Sequence, residues 1–139
     1  MNKKINNQNT FKPKIICFAC NWSAYAILKK EKFRLSANIH CIRVICLGRI
    51  NPSFIFRAFE FGADGVLLLG CSPEECRYNF SKKLVEEHYN IAKNVIHLLG
   101  IEKERLGVLT FSVGEDALFV KRVNRFVKRV KNIGPSHLK

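Results

Sequence analysis

Four short apolar runs alternate with longer stretches of helical periodicity, and this alternation constrains the fold of the chain more than any other feature. The runs are Lys14–Cys20 (KIICFAC), Ile39–Cys46 (IHCIRVIC), Gly65–Gly70 (GVLLLG) and Arg105–Val113 (RLGVLTFSV). Each has the length of a strand, and the nearly unbroken apolar character of the first and third suits strands covered on both faces. GVLLLG is the most apolar and is expected at the centre. Ile39–Cys46 alternates, with Ile39, Cys41, Arg43 and Ile45 on one face and His40, Ile42, Val44 and Cys46 on the other, and Arg43 suits an edge.

The intervening segments read as helices. Ala24–Leu35 follows Ser23 as N-cap, and Asn51-Pro52 is an N-cap with proline in the first turn of a helix that Gly62 ends. Leu84–Leu99 stops at Gly100, and Glu115–Lys131 carries acids in its first turn and bases in its last. Expected inward residues are Phe54, Ile55, Ala58 and Phe59 in the second helix, and Leu84, Ile91, Val95 and Leu98 in the third. In the last helix they are Leu118, Phe119, Val123, Phe126, Val127 and Val130. Ser72-Pro73-Glu74-Glu75 reads either as a capping box or as part of a loop to about Phe80. Strand–helix alternation predicts an α/β fold with a parallel sheet covered by helices on both faces. Right-handed crossovers make 2-1-3-4 the simplest strand order, a flavodoxin-like open sheet. Residues 14–133 form one domain, between a polar N-terminal tail (1–13) and a short C-terminal tail (134–139).

In such a sheet the carboxyl ends of the strands make one rim, where ligands bind. Cys20 and Cys46 close the first two runs, Cys71 follows the third, and Cys76 lies five residues further. With strand one between strands two and three, Cys20 has Cys46 on one side and Cys71 on the other, about 4.8 Å per strand away. Four thiolates at one centre are what an iron–sulfur cluster or a zinc site requires. Buried structural thiols and disulfide or thiol chemistry are the competing readings. Cys41 is expected to be a small core residue at the far end of the sheet. Cys17 is either structural or a spare ligand, and Cys17-Phe-Ala-Cys20 superficially resembles a redox pair. Arg49 and Arg77, after Cys46 and Cys76, offer positive charge to thiolates, and Trp22 could shield the site; exposed loop arginines and a packed tryptophan are the plainer alternatives.

Other chemistries find no support. No glycine-rich loop follows the first strand. No serine sits in a nucleophile elbow and no carboxylate pair lies on the rim. His40, His88, His97 and His137 are scattered, with His88 and His97 expected on solvated helix faces. The net charge of +13 invites a nucleic-acid reading. Eleven of the bases, however, sit at the two ends (Lys3, Lys4, Lys12, Lys14, and seven between Lys121 and Lys139). Positions 15–120 hold 13 bases and 11 acids, a net of +2. No nucleic-acid motif accompanies the basic ends, so nucleic acid is not the expected partner. No apolar run approaches the ~20 residues of a membrane helix. The N-terminus lacks the apolar core of a signal peptide, so a cytoplasmic, non-membrane protein is expected.

Several motifs in fixed order resemble one family. Phe18-Ala-Cys-Asn-Trp22, Arg43-Val-Ile-Cys-Leu-Gly-Arg49, Gly62-Ala-Asp-Gly-Val66, Gly70-Cys71 and Cys76-Arg-Tyr78 are similar to the methyl-viologen-reducing hydrogenase delta subunits. The likeness covers roughly residues 14–133. It implies a 2Fe–2S electron-transfer subunit of an oxidoreductase complex, with Cys20, Cys46, Cys71 and Cys76 as metal ligands and no catalytic residue. The implied partners are a hydrogenase, through its small subunit or another electron-donor subunit, and the flavin subunit of heterodisulfide reductase, in the bifurcating complexes of methanogens and other anaerobes. Family members usually read Cys-Asn-Trp-Cys, whereas Ser23 stands in the last position here; if that cysteine is a ligand in the family, either Cys17 or Ser23 substitutes for it, or the cluster is weaker or absent. Two other readings stay open: a four-cysteine zinc-binding module, with or without nucleic acid, and a thiol oxidoreductase using Cys17 and Cys20.

Overall fold

The computed structural model describes residues 11–22, 24–31, 34–35, 38–72, 81–112 and 114–137. The tail before residue 11, Ser23, the segment 73–80 with Cys76 and Arg77, and the last two residues lie outside the described residues, as do 32–33, 36–37 and 113. Four strands, β1 (Lys14–Cys20), β2 (Asn38–Val44), β3 (Gly65–Cys71) and β4 (Leu106–Phe111), form one sheet. All pairs are parallel and the order is β2-β1-β3-β4, as the crossover rules predict. The helices are α1 (Ala24–Glu31), α2 (Pro52–Glu60), α3 (Ser81–Leu98) and α4 (Asp116–Ile133).

Each face of the sheet has its own core. Ile15, Cys17, Ala19, Leu67 and Leu69 pack against α1 and α4, the latter contributing Phe119, Val123, Phe126, Val127 and Val130. Phe18, Val66 and Leu68 face α2 and α3 through Ile55, Phe59, Ala92 and Ile96. Every residue of β3 is buried, as its unbroken apolar run predicts for a central strand. β2 is an edge strand, and Arg43 lays its guanidinium over the Tyr25 ring at 5.4 Å. Asn51 caps α2 by accepting from the Ser53 amide at 2.9 Å, with Pro52 next. Gly62 takes the positive φ of +98° that turns the chain from α2 towards β3.

Several expectations about packing are corrected. The buried stripe of α3 is Val85, Ala92 and Ile96, at helical spacing, whereas Ile91 and Leu98 are exposed. Both phases of this helix carry apolar residues, and packing against Phe18, Leu68 and the α2 residues Ile55 and Phe59 buries one of them. Phe54 and Leu118 are exposed at the margins of otherwise correctly read stripes. Cys41 sits in the middle of β2, exposed, because an edge strand has a neighbour on one side only. His88 is half-buried rather than solvated, and its Nδ1 is enclosed.

At the amino-terminal end of the sheet a charged network replaces apolar packing. Asp64, fully buried before β3, accepts hydrogen bonds from the amides of Lys14 (2.8 Å) and Ser136 (3.0 Å). Arg105, 1% exposed, donates to the carbonyls of Asp64 (3.0 Å) and Pro135 (3.2 Å) and pairs with Glu102 at 3.0 Å. The starts of β1, β3 and β4 and the chain beyond α4 are thereby tied together.

Candidate metal centre

The carboxyl ends of β1 and β3 lie side by side because these strands pair in register, Ala19 opposite Leu69. Cys20 ends β1 and Cys71 ends β3, and both line the cavity that α3 overhangs. Cys20 Sγ lies 3.9 Å from Cys71 Sγ and 3.8 Å from the Ile45 carbonyl oxygen. That sulfur–sulfur separation is far beyond a disulfide bond of about 2.05 Å. It matches the edge of a tetrahedral thiolate site, which bonds of about 2.3 Å set at about 3.8 Å.

β2 stops at Val44, two residues earlier than the sequence suggested: the Asn21 amide donates the last β1–β2 bond to the Val44 carbonyl at 2.8 Å, and the chain then turns. Cys46 therefore sits at the head of a short 3-10 turn, Leu47–Arg49, rather than on the strand. It still reaches the rim. Cys20, Cys46 and Cys71 line one cavity of about 180 Å³, at 1%, 2% and 8% exposure. Leu47, Val85 and Val108 supply apolar wall, and Glu86 and Tyr89 enter from α3. Soft sulfur donors in an apolar pocket are the set that selects zinc or iron–sulfur rather than hard cations. Among the described residues, no three Cys, His, Asp or Glu side chains already stand close enough together to hold a metal. Cys76, the fourth expected ligand, lies outside them.

Glu86 and Tyr89 had no signature in the sequence as site residues. Their spacing puts them on one side of α3 with Val85, but only the crossing of α3 over the rim brings them to the cysteines. Arg49 is exposed on the 3-10 turn and Trp22 is 43% exposed; neither lines the cavity.

Cys17 belongs elsewhere. It points to the opposite face of the sheet and is completely buried among the α1–α4 core residues. Burial, reinforced by Cys41 across the strand pair, pushes its thiol far above the ordinary value. Three residues of extended strand separate the Cys17 and Cys20 α-carbons by roughly 10 Å, beyond disulfide reach. These two cysteines cannot work as a redox pair without breaking β1.

Gly70 lies directly under Leu47 on the cavity wall. A Cβ there would sit 2.6 Å from Leu47 Cδ1, immediately beside Cys46. Gly70→Ala is expected to cost about 1–3 kcal/mol by overpacking. Thermal denaturation measures this, and an unchanged midpoint would show that Leu47 yields freely.

The fold is thus an open parallel α/β sheet whose carboxyl rim carries an apolar cavity lined by three cysteines. The chain belongs to the methyl-viologen-reducing hydrogenase, delta subunit family, whose family model matches residues 15–134. It is 36% identical over 132 residues to the vhc iron–sulfur subunit of the F420-non-reducing hydrogenase of Methanococcus voltae, covering 93% of this chain and 92% of that protein. It is 32% identical over 130 residues to the vhu iron–sulfur subunit of the same kind of hydrogenase in Methanocaldococcus jannaschii, covering 91% of this chain and 97% of that protein. It is also 38% identical over 126 residues to a subunit of the ferredoxin/F420H2-dependent CoB–CoM heterodisulfide reductase of Methanosarcina acetivorans. That match takes in 88% of this chain but 16% of the reductase subunit. The chain is thus similar both to separate hydrogenase subunits and to one portion of a larger reductase polypeptide. Among the described residues, no helix is long and apolar enough to cross a membrane.

Proposed function

We propose that this chain is an electron-transfer subunit holding one 2Fe–2S cluster on Cys20, Cys46, Cys71 and Cys76. In this reading it works in the cytoplasm and relays electrons between a hydrogenase, or another donor subunit, and the flavin subunit of a heterodisulfide reductase complex. The observation that carries the reading is the Cys20–Cys71 sulfur pair at 3.9 Å, with Cys46 on the same apolar cavity. The relatives are hydrogenase iron–sulfur subunits and a heterodisulfide reductase subunit, which supports the cluster and the two kinds of partner.

A bound cluster supplies one-electron redox chemistry at a potential set by its surroundings. The chain's own residues do the rest. Cys20 and Cys71 are held by the paired strands β1 and β3, so their sulfurs are positioned before any metal binds. Leu47, Val85 and Val108 form an apolar wall beside the sulfurs, whose low polarity would favour the less charged state of a bound cluster. Glu86, on the cavity wall, would add negative charge beside a bound cluster and so lower its potential.

The test is the visible absorption spectrum of anaerobically purified protein, with iron, zinc and sulfide counted in the same sample. A brown protein with about two irons and two sulfides per chain is expected. A colourless protein holding zinc would replace the cluster by a four-thiolate zinc site. A protein that holds neither iron nor zinc as purified, and takes up neither on reconstitution, would overturn both.

A further inference from the structure

We propose that the edge of β4, which no other strand among the described residues pairs and which an arginine row of α4 walls, is a docking surface for an extended acidic segment of a partner protein. β4 is the last strand of the sheet, and six residues long. In a parallel sheet each residue turns its N–H and C=O to one side, and the side alternates along the strand. The Phe111 carbonyl accepts from the Ser72 amide, so the odd-numbered residues face β3. Leu106, Val108 and Thr110 then face outward. The outer contacts agree: the Tyr89 hydroxyl donates to the Leu106 carbonyl at 3.4 Å, and Arg122 donates to the Thr110 carbonyl at 3.2 Å. Between them, the outward amide and carbonyl of Val108 form the floor of a groove.

One wall of this groove is positively charged. Arg122, Arg125 and Arg129 all line it, at a spacing that puts them on one face of α4. Two are held in place: Arg122 stacks over Phe111 at 5.1 Å, and Arg129 stacks over Phe126 at 5.2 Å while donating to the Glu104 carbonyl. Arg125 between them is exposed. No acidic residue occurs after Asp116, so no carboxylate further along the same helix neutralises the row. A groove with an outward backbone donor and acceptor at Val108 and guanidinium groups on its wall fits an added strand bearing carboxylates. Charge alone would also suit phosphates, but the open backbone edge favours a polypeptide.

The groove shares Tyr89 and Val108 with the cysteine cavity. The surface stands on the strand edge and the arginines, and its failure would leave the cluster reading untouched.

The probe is a fluorescent short peptide alternating glutamate and valine, followed by anisotropy on the full chain, with amide hydrogen exchange read at Val108. Binding with slowed exchange at Val108 is expected. Arg125→Glu combined with Arg129→Glu should weaken binding about tenfold or more. The same peptide N-methylated at alternate residues keeps its charge but cannot pair, and should bind at least about tenfold more weakly to the unaltered protein. Equal binding of the N-methylated peptide, or no slowing at Val108, overturns the proposal. So does a DNA duplex that binds more tightly than the peptide and displaces it.

Discussion

Cys71→Ser is expected to remove the visible absorption and most of the bound iron while leaving the fold in place. Serine is nearly isosteric with cysteine, but its hard, protonated oxygen is a poor ligand for iron at neutral pH. The substitution also breaks the sulfur pair that already stands at 3.9 Å beside the Ile45 carbonyl. Two controls separate ligand from scaffold. Cys41→Ser, on the exposed edge strand, should change neither colour nor stability. Cys17→Ser should keep the colour but lose about 1–3 kcal/mol, because it places a hydroxyl in the completely buried α1–α4 core. A visible spectrum unchanged in Cys71→Ser would sink the ligand assignment.

Arg105→Leu is expected to be the most destabilising single change away from the cysteines. Its guanidinium is buried and serves the carbonyls of Asp64 and Pro135 together with the Glu102 carboxylate. Leucine fills part of the volume but leaves both carbonyls without this donor, at about 1–3 kcal/mol each. A total of about 3–4 kcal/mol would lower the melting temperature by roughly 10–15 °C in a chain of this size. Arg105→Lys should recover only part of this, since one ammonium cannot reach both carbonyls in the geometry of the guanidinium fork. A midpoint for Arg105→Leu close to that of the unaltered protein would show that the network contributes little.

The contrast between these two sites reflects what could be read along the chain. The rim cysteines were legible because strand order and strand ends follow from local patterns. Continuous apolar runs mark buried strands, Asn51-Pro52 and Gly62 mark helix ends, and right-handed crossovers leave one simple order. Cys20 and Cys71 were thereby placed side by side, and the structure puts their sulfurs in contact. Arg105 was unremarkable at the head of an apolar run. Its burial depends on residues 41 and 30 positions away, which no local pattern reveals.

Local pattern was enough for the elements, their parallel order and the rim on which Cys20, Cys46 and Cys71 gather, because backbone propensity, period and chirality act over short distances. Folding in three dimensions was needed to select the apolar stripe of α3 that turns inward, to face Cys17 away from Cys20, and to expose Cys41. It was also needed to bring Glu86 and Tyr89 to the cysteines and to set three arginines of α4 beside an open strand edge. Those outcomes depend on how each helix is rotated and laid across a twisted sheet. That orientation is fixed by the joint packing of residues distant in sequence, and the order of residues along one segment does not record it.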